Sequence, residues 1–148
     1  MIKKYIVIIA SAFILALLIA GCSNENDSWA AEVKEITANA DAVQYKYRAI
    51  ETLEREYTAT IAQLERFYMD LTNSFQSGEY LNGVDDEEVL ENIFRAIVLA
   101  NQATGEPQQF ASMYLENMKY TYLNINEPTS DQILANEKLM SAILNNAL

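Results

Sequence analysis

From Trp29 to Ser77 the chain has neither glycine nor proline, and its apolar residues return at alternating steps of four and three. That spacing keeps side chains on one side of an α-helix, which turns once in about 3.6 residues. With Trp29 set as heptad position d, the d positions are Trp29, Ile36, Val43, Ile50, Tyr57, Leu64 and Leu71. The a positions are Val33, Ala40, Tyr47, Glu54, Ile61, Tyr68 and Phe75. Only Glu54 interrupts the stripe. The pattern predicts one long amphipathic helix of about 70 Å at 1.5 Å per residue. Its expected stop is Gly78, since glycine suits the left-handed turn after a helix. Before Ile50 the stripe is narrow, which suits a two-stranded coiled-coil seam or a lightly covered, projecting stalk. Beyond it Leu53 and Phe67 widen the apolar face, as a bundle requires. A competing expectation is a break near Asn39-Ala40-Asp41, which would give a compact five-helix domain.

Three shorter helices follow. Asp85 stands three residues before Glu88 in a capping spacing, ahead of Val89, Leu90, Ile93, Phe94, Ile97 and Val98. Gly105 ends that helix, and Pro107 falls where a first-turn proline is tolerated. Phe110, Met113, Tyr114, Met118 and Thr121 mark one face of the next helix. After the loop from Asn124 to Pro128, Thr129 and Gln132 repeat the capping spacing. Ile133, Met140, Ile143 and Ala147 then mark the buried side of the last helix. The fold class expected is all-α, with the long N-terminal helix packed by three shorter ones as an antiparallel bundle over residues 29–148.

The N-terminus has a different pattern. Met1-Ile2-Lys3-Lys4 precedes an apolar run from Ile6 to Ala20 with no charged residue. These are the basic and hydrophobic parts of an export signal. The run closes on Leu18-Ile19-Ala20-Gly21-Cys22, which resembles the lipobox of bacterial lipoproteins. The resemblance covers residues 1–22 only. It implies a signal peptide over residues 1–21, cleavage between Gly21 and Cys22, and acyl chains such as palmitate on Cys22. One acyl chain holds a protein marginally, whereas two or more anchor it stably. The competing reading is an uncleaved membrane helix, but the uncharged stretch from Tyr5 to Gly21 sits at the bottom of the spanning range of roughly 17 to 25 residues. Residues 22–28 then form a lipidated cysteine and a polar tether, Ser23-Asn24-Glu25-Asn26-Asp27-Ser28.

Charge limits the partners. The 148-residue chain carries 10 Lys and Arg against 21 Asp and Glu. Losing Lys3 and Lys4 with the signal leaves 8 against 21, a net −13. A polyanion of this size is repelled by nucleic acid and by anionic lipid headgroups, so no nucleic acid is expected and the membrane is reached through the lipid. By the resemblance, the anchored protein sits on the outer face of the cytoplasmic membrane in a Gram-positive cell. In a Gram-negative cell Ser23, next to the lipidated cysteine, directs it to the outer membrane.

Few groups are left for chemistry. The chain has no histidine and one cysteine, already assigned to lipid, so the commonest general base, nucleophile and metal ligands are missing. No enzyme, metal or cofactor is expected. Glu54 could be a buried acid, although the stronger expectation is that Leu53 fills the core and Glu54 turns to solvent or pairs with an arginine. Asp85-Asp86-Glu87-Glu88 is read as favourable charge at a helix start rather than a calcium loop. Tyr and Met are common at protein interfaces. Trp29, Val33, Ile36, Val43 and Tyr47 on the proximal stripe, with Tyr114, Tyr120 and Tyr122, are therefore the candidate interaction residues, against the plainer reading of the tyrosines as core edges. The expected role is a lipid-anchored envelope module acting through a protein partner or as a homo-oligomer. The alternative is a lipoprotein that holds a small apolar or cationic ligand in its bundle.

Overall fold

The computed structural model describes residues 28–81, 85–123 and 130–146, and all of its regular structure is helical. The signal segment, Gly21, Cys22, the tether up to Asp27, the loop 124–128, Thr129 and Ala147 lie outside the described residues. Six helices run in order: α1 Ser28–Ala38, α2 Val43–Arg55, α3 Ile61–Gln76, α4 Asp86–Gln102, α5 Glu106–Leu123 and α6 Ser130–Leu144.

Helix α4 is the centre. Val89, Leu90, Ile93, Phe94, Ala96, Ile97, Val98 and Leu99 are all buried, which leaves only a narrow polar edge. A helix apolar on nearly every side must be enclosed by its neighbours. Helices α1, α2, α3 and α5 all pack against it, and α6 lies on the far side of α5. Rings from four elements fill one end of the core. Trp29 stacks on Phe94 at 4.8 Å and meets Phe67 edge-on at 5.3 Å, while Tyr57 meets Phe94 edge-on at 5.3 Å. Farther along, Phe110 takes Tyr68 and Phe75 edge-on at 5.6 Å each. Among the described residues every buried apolar side chain falls between Trp29 and Ile143, so a chain starting at Ser23 keeps all of the core they form.

The bundle is helix upon helix, as the pattern requires, but the stretch from Trp29 to Ser77 is not one long helix. It bends twice, and three segments wrap α4 in place of a projecting stalk. The first break falls at residues 39–42, where the alternative expectation put it. Ala42 is extended, at φ −63° and ψ 149°, and Lys46 donates from Nζ to the Thr37 carbonyl at 2.8 Å. A cation there satisfies an orphan carbonyl and suits the negative end of α1.

The second break, at residues 56–60, is unmarked by glycine or proline. Thr60 is the N-cap of α3 in a reciprocal capping box: its hydroxyl accepts from the Gln63 N–H at 3.2 Å, and the Gln63 side chain accepts from the Thr60 N–H at 2.8 Å. The loop backbone freed by the break is met by Gln102 at the end of α4. Its Nε2 donates to the Tyr57 carbonyl at 2.8 Å and its Oε1 accepts from the Ala59 N–H at 2.9 Å. The later boundaries follow expectation. Gly78 and Gly105 take the left-handed conformation at φ 75° and 71°, and the Asp85 carboxylate accepts from the Glu88 N–H at 2.9 Å.

Gln102 also donates to Glu54 Oε1 at 3.2 Å, so one side chain joins α2, the second break and α4. Removing it strands a donor, an acceptor and part of a buried carboxylate. Gln102→Ala is expected to lower unfolding free energy by about 2–4 kcal/mol. Urea denaturation checks this, and a loss below about 0.5 kcal/mol, the size of an ordinary surface change, would rule out the clasp.

Candidate functional site

The residues chosen from sequence are mostly not on display. Trp29, Val33, Tyr47 and Tyr114 are buried, and Ile36, Val43 and Tyr122 are half-buried against the core. The stripe proposed as a seam for another chain is therefore occupied by α4 of the same chain. Tyr120 does reach the surface, where its hydroxyl donates to Glu116 Oε1 at 2.8 Å.

Glu54 departs from expectation too. It is 5% exposed, while Leu53 is only half-buried. No arginine meets it; Asn101 Nδ2 and Gln102 Nε2 donate to its two oxygens at 3.1 and 3.2 Å. Both amides stand on the last turn of α4, so the carboxylate serves to tie α2 to that end. A buried carboxylate needs such donors, and here they join two helices.

A different place collects polar chemistry. Between the C-terminal half of α3 and the N-terminal half of α4 an open groove encloses about 710 Å³. Its walls carry Asp70, Glu79, Asp85, Glu87, Glu88 and Glu91, against a single cation, Arg95. The acidic run at the start of α4, favourable for the helix itself, forms one wall.

Arg95 organises the floor. Its Nε lies 3.3 Å from Asp70 Oδ2, its Nη2 lies 3.0 Å from Glu91 Oε2, and its Nη1 donates to Asn92 Oδ1 at 2.9 Å. On the other side the guanidinium stands over the Trp29 ring at 5.1 Å, a cation–π distance. Asp70 thus pairs across from α3 to α4. Behind Asn92, which is 2% exposed, Nδ2 donates to Ser74 Oγ at 3.4 Å, and Ser74 Oγ lies 3.0 Å from the Tyr114 hydroxyl. Burial pushes the Tyr114 phenol up to about 12, with the Ser74 bond and the Arg95 charge pulling the other way. Tyr114 is therefore a neutral hydrogen-bonding group at physiological pH. Arg95 answers two carboxylates, and the remaining four leave the groove strongly negative. Its charge suits a cation rather than an anion, and the hydroxyls of Ser74 and Ser77 and the amides of Asn73 and Asn92 complete its polar lining.

Another polar network joins α5 to α6. Asn117, fully buried, donates from Nδ2 to the Tyr80 hydroxyl at 2.9 Å, and Tyr80 donates to Glu137 Oε1 at 3.0 Å. Asn136 Nδ2 in turn donates to Asn117 Oδ1 at 2.8 Å. Each buried polar atom in it has a partner, which gives α6 one seat on α5.

Sequence reasoning passed over Arg95 and the groove because their parts are far apart in the chain. The available signal was Glu91, Asn92 and Arg95, the polar positions that interrupt the apolar stretch from Val89 to Ala100. Among the described residues, no helix is long and apolar enough to cross a membrane, and no group of acids converges as metal ligands would. Comparison with family models, curated proteins and solved structures finds no match for this chain.

Proposed function

We propose that this protein is exported, lipidated at Cys22 and held at the cell envelope, where its helical bundle acts through protein contacts rather than catalysis. The observation that carries the reading is the lipobox-like Leu18-Ile19-Ala20-Gly21-Cys22 after a basic start and an apolar run, with Cys22 the only cysteine in the chain. The fold supports it in one respect. Trp29 is locked into the core only seven residues after Cys22, and seven extended residues reach at most about 25 Å. An anchor at Cys22 therefore holds the bundle close to the bilayer, and the net −13 of the processed chain makes a lipid necessary for that. The place would be the outer face of the cytoplasmic membrane in a Gram-positive cell, or the outer membrane in a Gram-negative one. Labelled palmitate fed to a bacterial host expressing the full chain is expected to enter the protein and follow it into the membrane fraction. Cys22→Ala is expected to abolish both. Label that persists in the variant, or never enters the wild type, contradicts the reading.

A ligand-binding lipoprotein is the second reading, favoured by the acidic groove. Its lining suits a small organic polycation, whereas the Tyr- and Met-rich interior is taken up by packing. Spermidine at constant ionic strength is expected to raise the Tm of the Ser23–Leu148 chain, and Glu87→Gln with Glu88→Gln to remove most of the rise. No rise beyond that given by matched sodium chloride ends this reading.

A further inference from the structure

We infer that the outward face of α6 is a homodimer surface, on which two copies of this chain meet antiparallel about a two-fold axis. Helix α6 is seated on one side only, by Met140, Ile143 and the Asn117 network. Its other side carries Asp131, Leu134, Ala135 and Lys138, all exposed, at spacings i, i+3, i+4 and i+7. That spacing is one continuous stripe on a helix. Leu134 is 51% exposed, and Leu139 at the stripe's edge is 48% exposed.

The order of charges along the stripe selects the occupant. Asp131 stands at its start and Lys138 at its end, about 10 Å apart along the axis at 1.5 Å per residue. Neither forms an ion pair within the described chain. If a second α6 lies antiparallel with the two-fold axis between Leu134 and Ala135, Asp131 of each copy meets Lys138 of the other. Leu134 of each copy then falls on Ala135 of the other, large against small. An isologous contact needs such a self-complementary patch, whereas a parallel pairing in register would set like charges side by side.

The rest of the molecule argues for the same face. A chain of net −11 resists contact with its own copy over most of its surface, but this stripe is balanced, with one Asp and one Lys. A single helix pair buries less than the roughly 1,200 Å² of a standard interface, so the contact is weak in solution. Confinement of both copies to one membrane would strengthen it through effective concentration. The inference gives a partner to the module proposed above, yet it needs no lipid and is tested without one.

The chain from Ser23 to Leu148 contains all of the core formed by the described residues and no cysteine, so an introduced thiol is the only one present. Under mild oxidation Ala135→Cys is expected to form a disulfide-linked dimer at least about tenfold faster than Thr52→Cys, on the exposed face of α2. Adding Lys138→Glu to Ala135→Cys removes both cross-pairs and is expected to slow linking about tenfold; adding Asp131→Lys as well restores opposite charges and most of the rate. Leu134→Lys, which leaves both charged residues in place, should slow linking to a similar degree. Circular dichroism follows the fold of each variant. Equal rates at positions 135 and 52 overturn the inference, as does a Lys138→Glu change that has no effect or is not repaired by Asp131→Lys.

Discussion

A helix that offers almost no face to water governs this structure. Along α4 the buried residues fall on nearly every side, from Val89 to Leu99. At about 1.5–3 kcal/mol for each large apolar side chain removed from water, the chain does best by surrounding α4 on as many sides as it can. Helix α5 covers it from one direction, leaving the region from Trp29 to Ser77 to cover the rest. A straight helix there could meet α4 along one line only. Two bends let three short helices lie against it, with Trp29, Tyr57 and Phe67 gathering around Phe94.

Bending costs backbone hydrogen bonds, and specific side chains offset that cost. Lys46 takes a carbonyl at the first break. At the second, Gln102 supplies a donor and an acceptor while Thr60 and Gln63 cap the new helix. Glu54 belongs to the same device: it reads as a flaw in an apolar stripe, and it is buried because two amides of α4 hold it. The amides at its carboxylate come from nearly fifty residues along the chain, so no local pattern could distinguish this arrangement from a solvent-facing glutamate.

What was legible in the sequence was local. Gly78, Gly105 and the Asp85 cap fall where the residues place them, and the all-helical class follows from periodicity alone. The heptad stripe found much of the buried face but not all of it, since Ala40 and Ile61 lie exposed while Gln63 is buried. Nor did it show what buries the rest, because a stripe of Trp29, Val33, Ile36, Val43 and Tyr47 looks the same whether covered by another chain or by α4. The Thr60-x-x-Gln63 spacing is a sign of the second break that the sequence analysis passed over, because the stretch lacks glycine and proline. The groove was not legible, because Asp70, Arg95 and the acids around Asp85 converge only after α3 and α4 pack. Arg95 then holds the groove floor and the Trp29 ring together, which couples the most polar feature of the molecule to the first core residue after the tether.

The claim on which the rest stands is that most of the stripe from Trp29 to Phe75, Ala40 and Ile61 apart, is packed inside its own chain rather than left as a seam. Small-angle scattering from the dilute Ser23–Leu148 chain tests it most directly. A compact bundle of this length should give a radius of gyration near ~14 Å for the monomer. A continuous helix with a projecting half would extend the distance distribution toward ~70 Å, and that result would contradict the account.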